Sequence, residues 1–234
     1  MNIIRILALI LILTPLCSMT NADTPKPTII YVFDPLCGWC YGFSPVMVQL
    51  HKKYTESHTF QVVSGGMITG DRIAPISTMA DFIRKAYKQV EQRSGVKFGK
   101  RYINETLNGN TMLSSVPPSI ALTVFASHKP NQTIEFAHAL QTAIYSEGID
   151  PTNTREYGKI AAAFGLDSAS FVTEMGSPAM LQRTEAGFAQ SEQLGVQGFP
   201  AVFYRAASGK LTMIANGYTT FAQLESRMKS AMKE

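Results

Sequence analysis

Two cysteines separated by two residues constrain this sequence more than any other feature. The 234-residue chain contains three cysteines: Cys17 near its start, and Cys37 and Cys40 in the sequence Cys-Gly-Trp-Cys. A disulfide across so short a loop removes little entropy from the unfolded chain, so a structural staple is a poor explanation for the pair. Two thiols that are reversibly oxidised and reduced are a better one.

Zinc binding is the other common use of a Cys-x-x-Cys pair. A structural zinc site takes four ligands, and the sequence has no second cysteine pair. Its histidines are not spaced as a partner set: His51, His58, His128 and His138. We therefore expect no metal and no other cofactor.

The first 22 residues resemble a secretory signal peptide. A single arginine precedes the apolar run Ile6–Leu13, and Thr20 and Ala22 lie three residues and one residue before a cleavage site at Asp23. The run is shorter than the roughly 20 residues of a membrane span. A retained N-terminal anchor and a lipid-modified Cys17 are alternatives, and the bulky Leu16 before that cysteine disfavours the second. The sequence predicts an exported, periplasmic protein.

Charge argues against a nucleic-acid partner. The chain carries +4 at neutral pH, and removing the segment that contains Arg5 leaves +3. So small and scattered a charge does not form a polyanion-binding surface. With 45% hydrophobic and 16% charged residues, the composition is that of a globular protein.

Periodicity predicts an α/β fold with a large helical insertion. A buried strand (28–33), a helix (about 39–57) and a second strand (60–63) precede a long helical segment, and a hairpin (201–204 and 211–215) and a final helix (about 220–232) follow it. Within the helical segment, Ser77, Thr133 and Asp167 are candidate N-caps. We expect residues 23–66 and 195–234 to form one domain, with 67–194 inserted as the other.

The predicted helix start gives the two cysteines different chemistry. A thiolate is the attacking species in disulfide exchange. Cys37 would lie at the helix N-terminus, where unpaired amides and the helix dipole favour an anion. Cys40, one turn inward, would be shielded and close enough to resolve a mixed disulfide. We therefore expect Cys37 to be the exposed attacking thiol.

Gly198-Phe199-Pro200 precedes the strand of the closing hairpin. Proline cannot donate a hydrogen bond to a strand partner. A trans proline that begins the strand and a cis Phe199–Pro200 bond are both compatible with the sequence. In the cis form, the preceding backbone would be free to pair with an extended substrate.

Together these motifs resemble the thioredoxin superfamily, and within it the DsbA-like thiol oxidoreductases. The segment Asp34-Pro-Leu-Cys37-Gly-Trp-Cys40-Tyr-Gly-Phe43 is similar to a branch described as protein-disulfide isomerases, related to FrnE-type proteins. The resemblance implies a thioredoxin-like fold with an inserted helical domain, catalytic Cys37 and Cys40, and a cis Pro200. Gly38, Trp39, Phe199 and Pro200 would shape the substrate site.

The sequence departs from the strongest oxidants of that family, which carry Pro-His between the cysteines. Here Gly38-Trp39 supplies no ionisable group, and the charge of Asp34 would work against a thiolate. We therefore expect a protein less oxidising than DsbA.

We expect Trp39 to lie partly exposed beside the sulfurs, and Phe199 either to contact substrate or to pack against Trp39. Four further residues are candidates for an apolar docking surface: Tyr41, Phe43, Met67 and Met112.

Three functions compete on the sequence alone. The first is oxidation or isomerisation of disulfides in exported proteins that carry free thiols, assisted by a membrane or periplasmic redox-partner protein. The second resembles glutathione-dependent kappa transferases and hydroxychromene carboxylate isomerases, which carry serine at the nucleophile position. The third is a binding module with a structural Cys-x-x-Cys. After the predicted cleavage, only Asp23–Pro27 precede the first strand. They are too few for a dimerisation region, so we expect a monomer. A monomer slightly favours oxidation over isomerisation.

Overall fold

The computed structural model describes residues 25–233. Along the chain its elements are β1 (Thr28–Phe33), α1 (Gly38–Tyr54), β2 (Thr59–Ser64), β3 (Ala74–Pro75), α2 (Ala80–Ser94), α3 (Lys100–Asn104), β4 (Met112–Leu113), α4 (Val116–His128), α5 (Thr133–Thr142, continued by a π-helical turn, Ala143–Glu147), α6 (Thr154–Ala163), α7 (Ser168–Met175), α8 (Pro178–Gln193), β5 (Ala201–Arg205), β6 (Leu211–Asn216) and α9 (Phe221–Ala231). The main sheet has the order β2-β1-β5-β6. Strand β2 is parallel to β1, whereas β5 and β6 continue the sheet antiparallel.

Strand β1 contributes to the hydrophobic core on both sides of the sheet, because its side chains are buried on both faces. Ile29, Tyr31 and Phe33 pack into the large cluster shared with α1, α9 and the insert. Ile30 and Val32 belong to a second cluster on the opposite face. Alternate residues of a strand point to opposite faces, so a continuous apolar run fits a strand covered on both sides.

We call the segment between β2 and β5 of the main sheet the insert. Helices α2 to α8 fall within it, and α8 packs against β2 of the main sheet. The insert also contains a two-residue ladder in which Ala74 pairs with Leu113 and Pro75 with Met112. The sequence did not predict this ladder, because two residues are too few to show a strand period.

The predicted helix caps have three different outcomes. Asp167 caps α7 as predicted, since its side chain accepts a hydrogen bond from the Ser170 amide. Thr133 is instead the first residue of α5. Ser77 lies in a 3-10 turn ahead of α2 and bonds to Asn110, so it caps no helix.

The predicted signal peptide, residues 1–22, lies outside the described residues. Within residues 25–233, none of the helices combines the length and the apolar character that a membrane span needs.

Candidate active site

The connection between β1 and α1 places Cys37 at the start of a helix. Cys37 is the N-cap residue of α1 and has extended backbone geometry. Its amide donates to the Asp34 carbonyl at 3.0 Å, and its own carbonyl accepts from the Tyr41 amide at 3.1 Å. The Cys37 side chain therefore lies at the end of α1 where the first-turn amides have no acceptor within the helix.

The two thiols differ in their environment. Both are free, with Cys37 7% exposed and Cys40 fully buried. Burial raises the pKa of the Cys40 thiol, and the adjacent Cys37 sulfur raises it further. Cys37 is thus the more accessible of the two residues, but it too is buried, so the prediction of an exposed Cys37 is wrong.

The Phe199–Pro200 peptide bond is cis, as the family resemblance implies, so the trans alternative is wrong. The carbonyl of Phe199 accepts a hydrogen bond from the Cys37 thiol, with 3.6 Å between sulfur and oxygen. The fold therefore joins Cys37 and the segment before Pro200, which are 162 residues apart in sequence. These are the two motifs that the sequence analysis singled out.

The ring of Phe199 lies over Gly65, not against Trp39. A Cβ atom at Gly65 would approach the Phe199 ring carbons to 2.0 and 2.1 Å. Only glycine leaves room for the ring at that position. Trp39 is half-buried, and its ring lies 6.1 Å from that of Tyr218. Packing against Trp39, one of the two alternatives expected for Phe199, is therefore not among the ring contacts of residues 25–233, and contact of Phe199 with substrate stays a prediction.

Two of the residues expected on a docking surface belong to the core. Tyr41 is 5% exposed and Phe43 is fully buried. The ring of Tyr41 stacks 5.2 Å from Tyr145 of the insert, so it joins the two parts of the chain. Met67 and Met112 remain partly exposed and exposed, respectively.

Asp34 is fully buried and serves as a hydrogen-bond acceptor for three segments. One carboxylate oxygen accepts from the Leu36 amide at 2.9 Å and the Ser115 hydroxyl at 2.8 Å, and the other accepts from the Met67 amide at 2.7 Å. Burial raises the pKa of the Asp34 carboxyl, and these bonds oppose that rise. The charge of Asp34 also raises the pKa of Cys40. Asp34 thus ties the cysteine turn to the insert, a role that the sequence does not indicate because Met67 and Ser115 are distant from Asp34 along the chain.

Gln141, on α5 of the insert, reaches the backbone of the same turn. Its side chain is fully buried, and its amide nitrogen donates to the carbonyls of Asp34 and Cys37 at 3.3 and 3.4 Å. With the amide rotated by 180°, it instead donates to the Cys40 carbonyl and accepts from the Tyr41 amide, both at 3.2 Å. Either orientation anchors the first turn of α1 to the insert.

Replacing Gln141 with leucine should weaken the fold and disturb the cysteine turn. The Asp34 and Cys37 carbonyls keep the backbone amides that also donate to them, so the substitution removes only the hydrogen bonds from Gln141. We expect a loss of about 0.5–1.5 kcal/mol in the free energy of unfolding for each bond removed. The rate at which iodoacetamide alkylates Cys37 should change as well. Gln190→Leu is the matched control, because the Gln190 amide bonds to Gln61 on β2. Equal alkylation rates in the two variants would contradict an anchoring role for Gln141.

The four histidines do not form one common site. Each forms a hydrogen bond with a different side chain: His51 with Glu135, His58 with Ser57, His128 with Glu174 and His138 with Ser44. Between residues 25 and 233 no three His, Cys, Asp or Glu side chains come together as metal ligands.

A family comparison identifies the class of this fold. Residues 28–229 match the model of the DSBA-like thioredoxin domain. The chain belongs to this family. Its thioredoxin-like α/β fold, expected from the sequence, is thereby confirmed.

Solved structures of similar fold include two proteins named for disulfide chemistry and one isomerase with a different name. A candidate protein disulfide isomerase from Nitrosomonas europaea superposes with a TM-score of 0.78 at 24% identity, covering 89% of this chain and 98% of that one. The cytosolic disulfide reductase DsbM from Pseudomonas aeruginosa gives 0.71 at 22% identity, covering 88% and 98%. A 2-hydroxychromene-2-carboxylate isomerase gives 0.59 at 16% identity, covering 88% and 94%. At these identities the likeness is one of fold.

The curated relatives are named for a function other than disulfide exchange. A ClpXP adapter protein SpxH from Halalkalibacterium halodurans is 22% identical over 205 residues, which is 81% of this chain and 64% of that protein. The chain therefore spans less than two thirds of the length of the curated relatives that it matches.

Proposed function

We propose that this protein is a thiol–disulfide oxidoreductase whose redox pair is Cys37 and Cys40. The observation that carries the proposal is the contact between the Cys37 sulfur, at the start of α1, and the Phe199 carbonyl before cis Pro200. A buried second thiol lies one turn behind the first. Membership of the DSBA-like family supports the same reading.

In the oxidising direction the reaction consists of two exchanges. A substrate thiolate attacks the Cys37 sulfur of the Cys37–Cys40 disulfide, and Cys40 leaves as a thiolate that takes up a proton. A second substrate thiolate then attacks the substrate sulfur of the mixed disulfide and releases the Cys37 thiolate. The substrate gains one disulfide and loses two electrons, which the protein pair holds as its reduced form.

The environments of the two sulfurs suit these roles. Cys37 lies at the N-terminus of α1 and is the more exposed of the two cysteines, as an attacking sulfur requires. The raised pKa of Cys40 keeps that thiol protonated in the reduced protein. Gly38 and Trp39 form a half-buried rim beside Cys37, and the Phe199–Pro200 segment supplies the facing backbone.

We favour net oxidation of substrates at a reduction potential below that of DsbA. Gly38-Trp39 brings no charge to the cysteine turn, and each 30 mV corresponds to about 1.4 kcal/mol of differential stability. A single missing charge interaction therefore shifts the balance between oxidised and reduced protein.

We place the protein in the periplasm, as a monomer acting on exported proteins with free thiols. The signal-like segment before Asp23 supports this location. A separate redox partner, in the membrane or the periplasm, would reset the cysteine pair after each turnover. Cell fractionation of the full-length chain tests the location, and recovery only with the cytoplasm would overturn it.

Cys37→Ser should abolish exchange while leaving the fold almost unchanged, because serine replaces a small side chain at an N-cap, where serine is favoured. Reduction of insulin, oxidation of reduced ribonuclease and unscrambling of scrambled ribonuclease should be measured in parallel for both proteins. Wild-type activity in any of these assays with none in the variant supports the proposal. A loss of stability without any exchange activity in the wild type would instead identify a binding module with a structural Cys-x-x-Cys.

A further inference from the structure

A cavity of about 470 Å³ lies between α5 and α6 of the insert. Its wall is formed by α5 with its π-helical turn, by Ile149 just after that turn, and by α6. Among residues 25–233, the wall contains neither cysteine and no part of the Phe199–Pro200 segment. Sites for whole small-molecule ligands measure roughly 300–1,000 Å³, so the volume suits a small molecule and the site is separate from the redox pair.

The hydrogen bonds of His138, a wall residue on α5, determine which of its ring nitrogens is left for a ligand. Pro45 has no N–H, so the Tyr41 carbonyl four residues earlier on α1 lacks its usual helical donor. The Ser44 hydroxyl donates to that carbonyl at 2.9 Å. A hydroxyl has only one proton. In the 2.7 Å hydrogen bond between Ser44 Oγ and His138 Nδ1, the histidine nitrogen is therefore the donor.

The other nitrogen of His138, Nε2, is consequently an acceptor. Burial lowers the pKa of His138, and the charge of Glu135 opposes this lowering without reversing it, so the ring is neutral at neutral pH. A neutral imidazole with its proton on Nδ1 carries a lone pair on Nε2. Within residues 25–233, no group donates a hydrogen bond to this atom.

Two further wall residues offer acceptors. Thr142 follows His138 by four residues, a spacing that places both on one face of α5. Its hydroxyl donates to the His138 carbonyl at 2.9 Å, so toward a ligand its oxygen can only accept. Glu147 is exposed at the end of the π-helical turn, and its carboxylate forms no ion pair with any other residue of the described part of the chain.

The remainder of the wall is either paired or apolar. Lys159 is the one basic residue among the wall residues between 25 and 233, and both carboxylate oxygens of Glu156 accept from it, at 2.9 and 3.1 Å. Ile149, Ile160 and Phe164 supply apolar surface, together with three alanines. The free polar groups are thus three acceptors, and the free charge is negative. An ammonium group, with three donors and no acceptor, is the complementary group.

We propose that this cavity binds a small primary amine as its ammonium ion. The ammonium group donates to His138 Nε2, Thr142 Oγ1 and the Glu147 carboxylate, and a hydrocarbon body lies against the apolar side chains. The site goes beyond the proposed redox function and does not rest on it, so either can fail while the other holds.

Three probes of equal chain length test the ligand class. Hexylamine, hexan-1-ol and hexanoate are titrated into the full-length protein at neutral pH, and binding is measured by calorimetry. Hydrogen bonds from a charged donor are stronger than those from a neutral one, so we expect hexylamine to bind roughly tenfold more tightly than hexan-1-ol. Hexanoate should not bind. Absence of hexylamine binding, or equal or tighter binding of either other probe, would overturn the proposal.

Two pairs of variants locate the site. Glu147→Gln keeps the shape of the side chain and removes its charge, so hexylamine should bind roughly tenfold more weakly. Glu185→Gln, which alters an exposed carboxylate on α8 outside the wall, should bind as the wild type does. Ala163→Phe fills the cavity and should abolish binding, whereas Ala162→Phe, at an exposed position beside it but not in the wall, should not. Wild-type affinity in Glu147→Gln or Ala163→Phe, or equal losses in the controls, would exclude this cavity as the site.

Proton–nitrogen NMR of the isotope-labelled protein tests the role of His138 directly. We expect the neutral ring to carry its proton on Nδ1, and hexylamine to shift the Nε2 signal more than the Nδ1 signal. A proton on Nε2 in the free protein, or an Nε2 signal that hexylamine leaves unchanged, would contradict the proposal.

Discussion

Cys40→Ser should turn the protein into a trap for its own substrates. Cys37 can still attack a substrate disulfide, forming a mixed disulfide as the other substrate sulfur leaves. Without Cys40, no thiol one turn behind can attack that bond and release the substrate. With scrambled ribonuclease we expect covalent complexes that persist on non-reducing gels and disappear with dithiothreitol, whereas the wild type accumulates few.

The reciprocal variant is the control for this trap. In Cys37→Ser the remaining thiol, Cys40, is fully buried and has a raised pKa. A buried, protonated thiol is a poor nucleophile, so no complexes should form. Complexes of equal yield in both variants would contradict the division of roles between the two cysteines.

Gly65→Ala should damage the fold and the active site together. The added methyl group would lie about 2 Å from the Phe199 ring, so the ring must move. Overpacking of this kind typically costs about 1–3 kcal/mol. Because the Phe199 carbonyl accepts from the Cys37 thiol, a displaced ring also disturbs the reactive sulfur. We expect lower stability in urea unfolding and slower exchange with reduced ribonuclease.

Gly198→Ala is the matched control for this prediction. A Cβ atom at Gly198 would meet no atom within 4 Å, although this residue precedes Phe199 directly. Its stability should equal that of the wild type. Adding Phe199→Ala to Gly65→Ala removes the clash, so the losses of the two single variants should not add. Additive losses, or a Gly65→Ala variant as stable as Gly198→Ala, would exclude this steric coupling.

The part of the site that is local in sequence was predictable. Strand Thr28–Phe33 has the bounds that its β-branched and aromatic residues indicate, and Cys37 follows within a few residues at the helix start. The final helix begins after Thr220, whose capping box with Gln223 is a short-range pattern. Such features depend on neighbouring residues, which one sequence displays directly.

The contacts that complete the site were not predictable from one sequence. Ser115 and Asp34 are 81 residues apart, and Gln141 and Cys37 are 104 apart. The packing of Phe199 over Gly65 depends on two loops that meet only in the folded chain. These contacts depend on the pairing of β1 with β5 and on the position of the insert. Neither can be derived from the spacing of residues in one sequence.

Equilibration with glutathione redox buffers tests the central claim most directly. The wild-type protein is incubated over a range of ratios of reduced to oxidised glutathione, quenched with acid and analysed by mass spectrometry of the peptide that contains Cys37 and Cys40. We expect a single two-electron transition between their disulfide and the dithiol, with a midpoint below the roughly −120 mV of DsbA. A midpoint at or above that value would contradict the weaker oxidant proposed here. A cysteine pair that forms no mutual disulfide at any ratio would contradict the redox function itself.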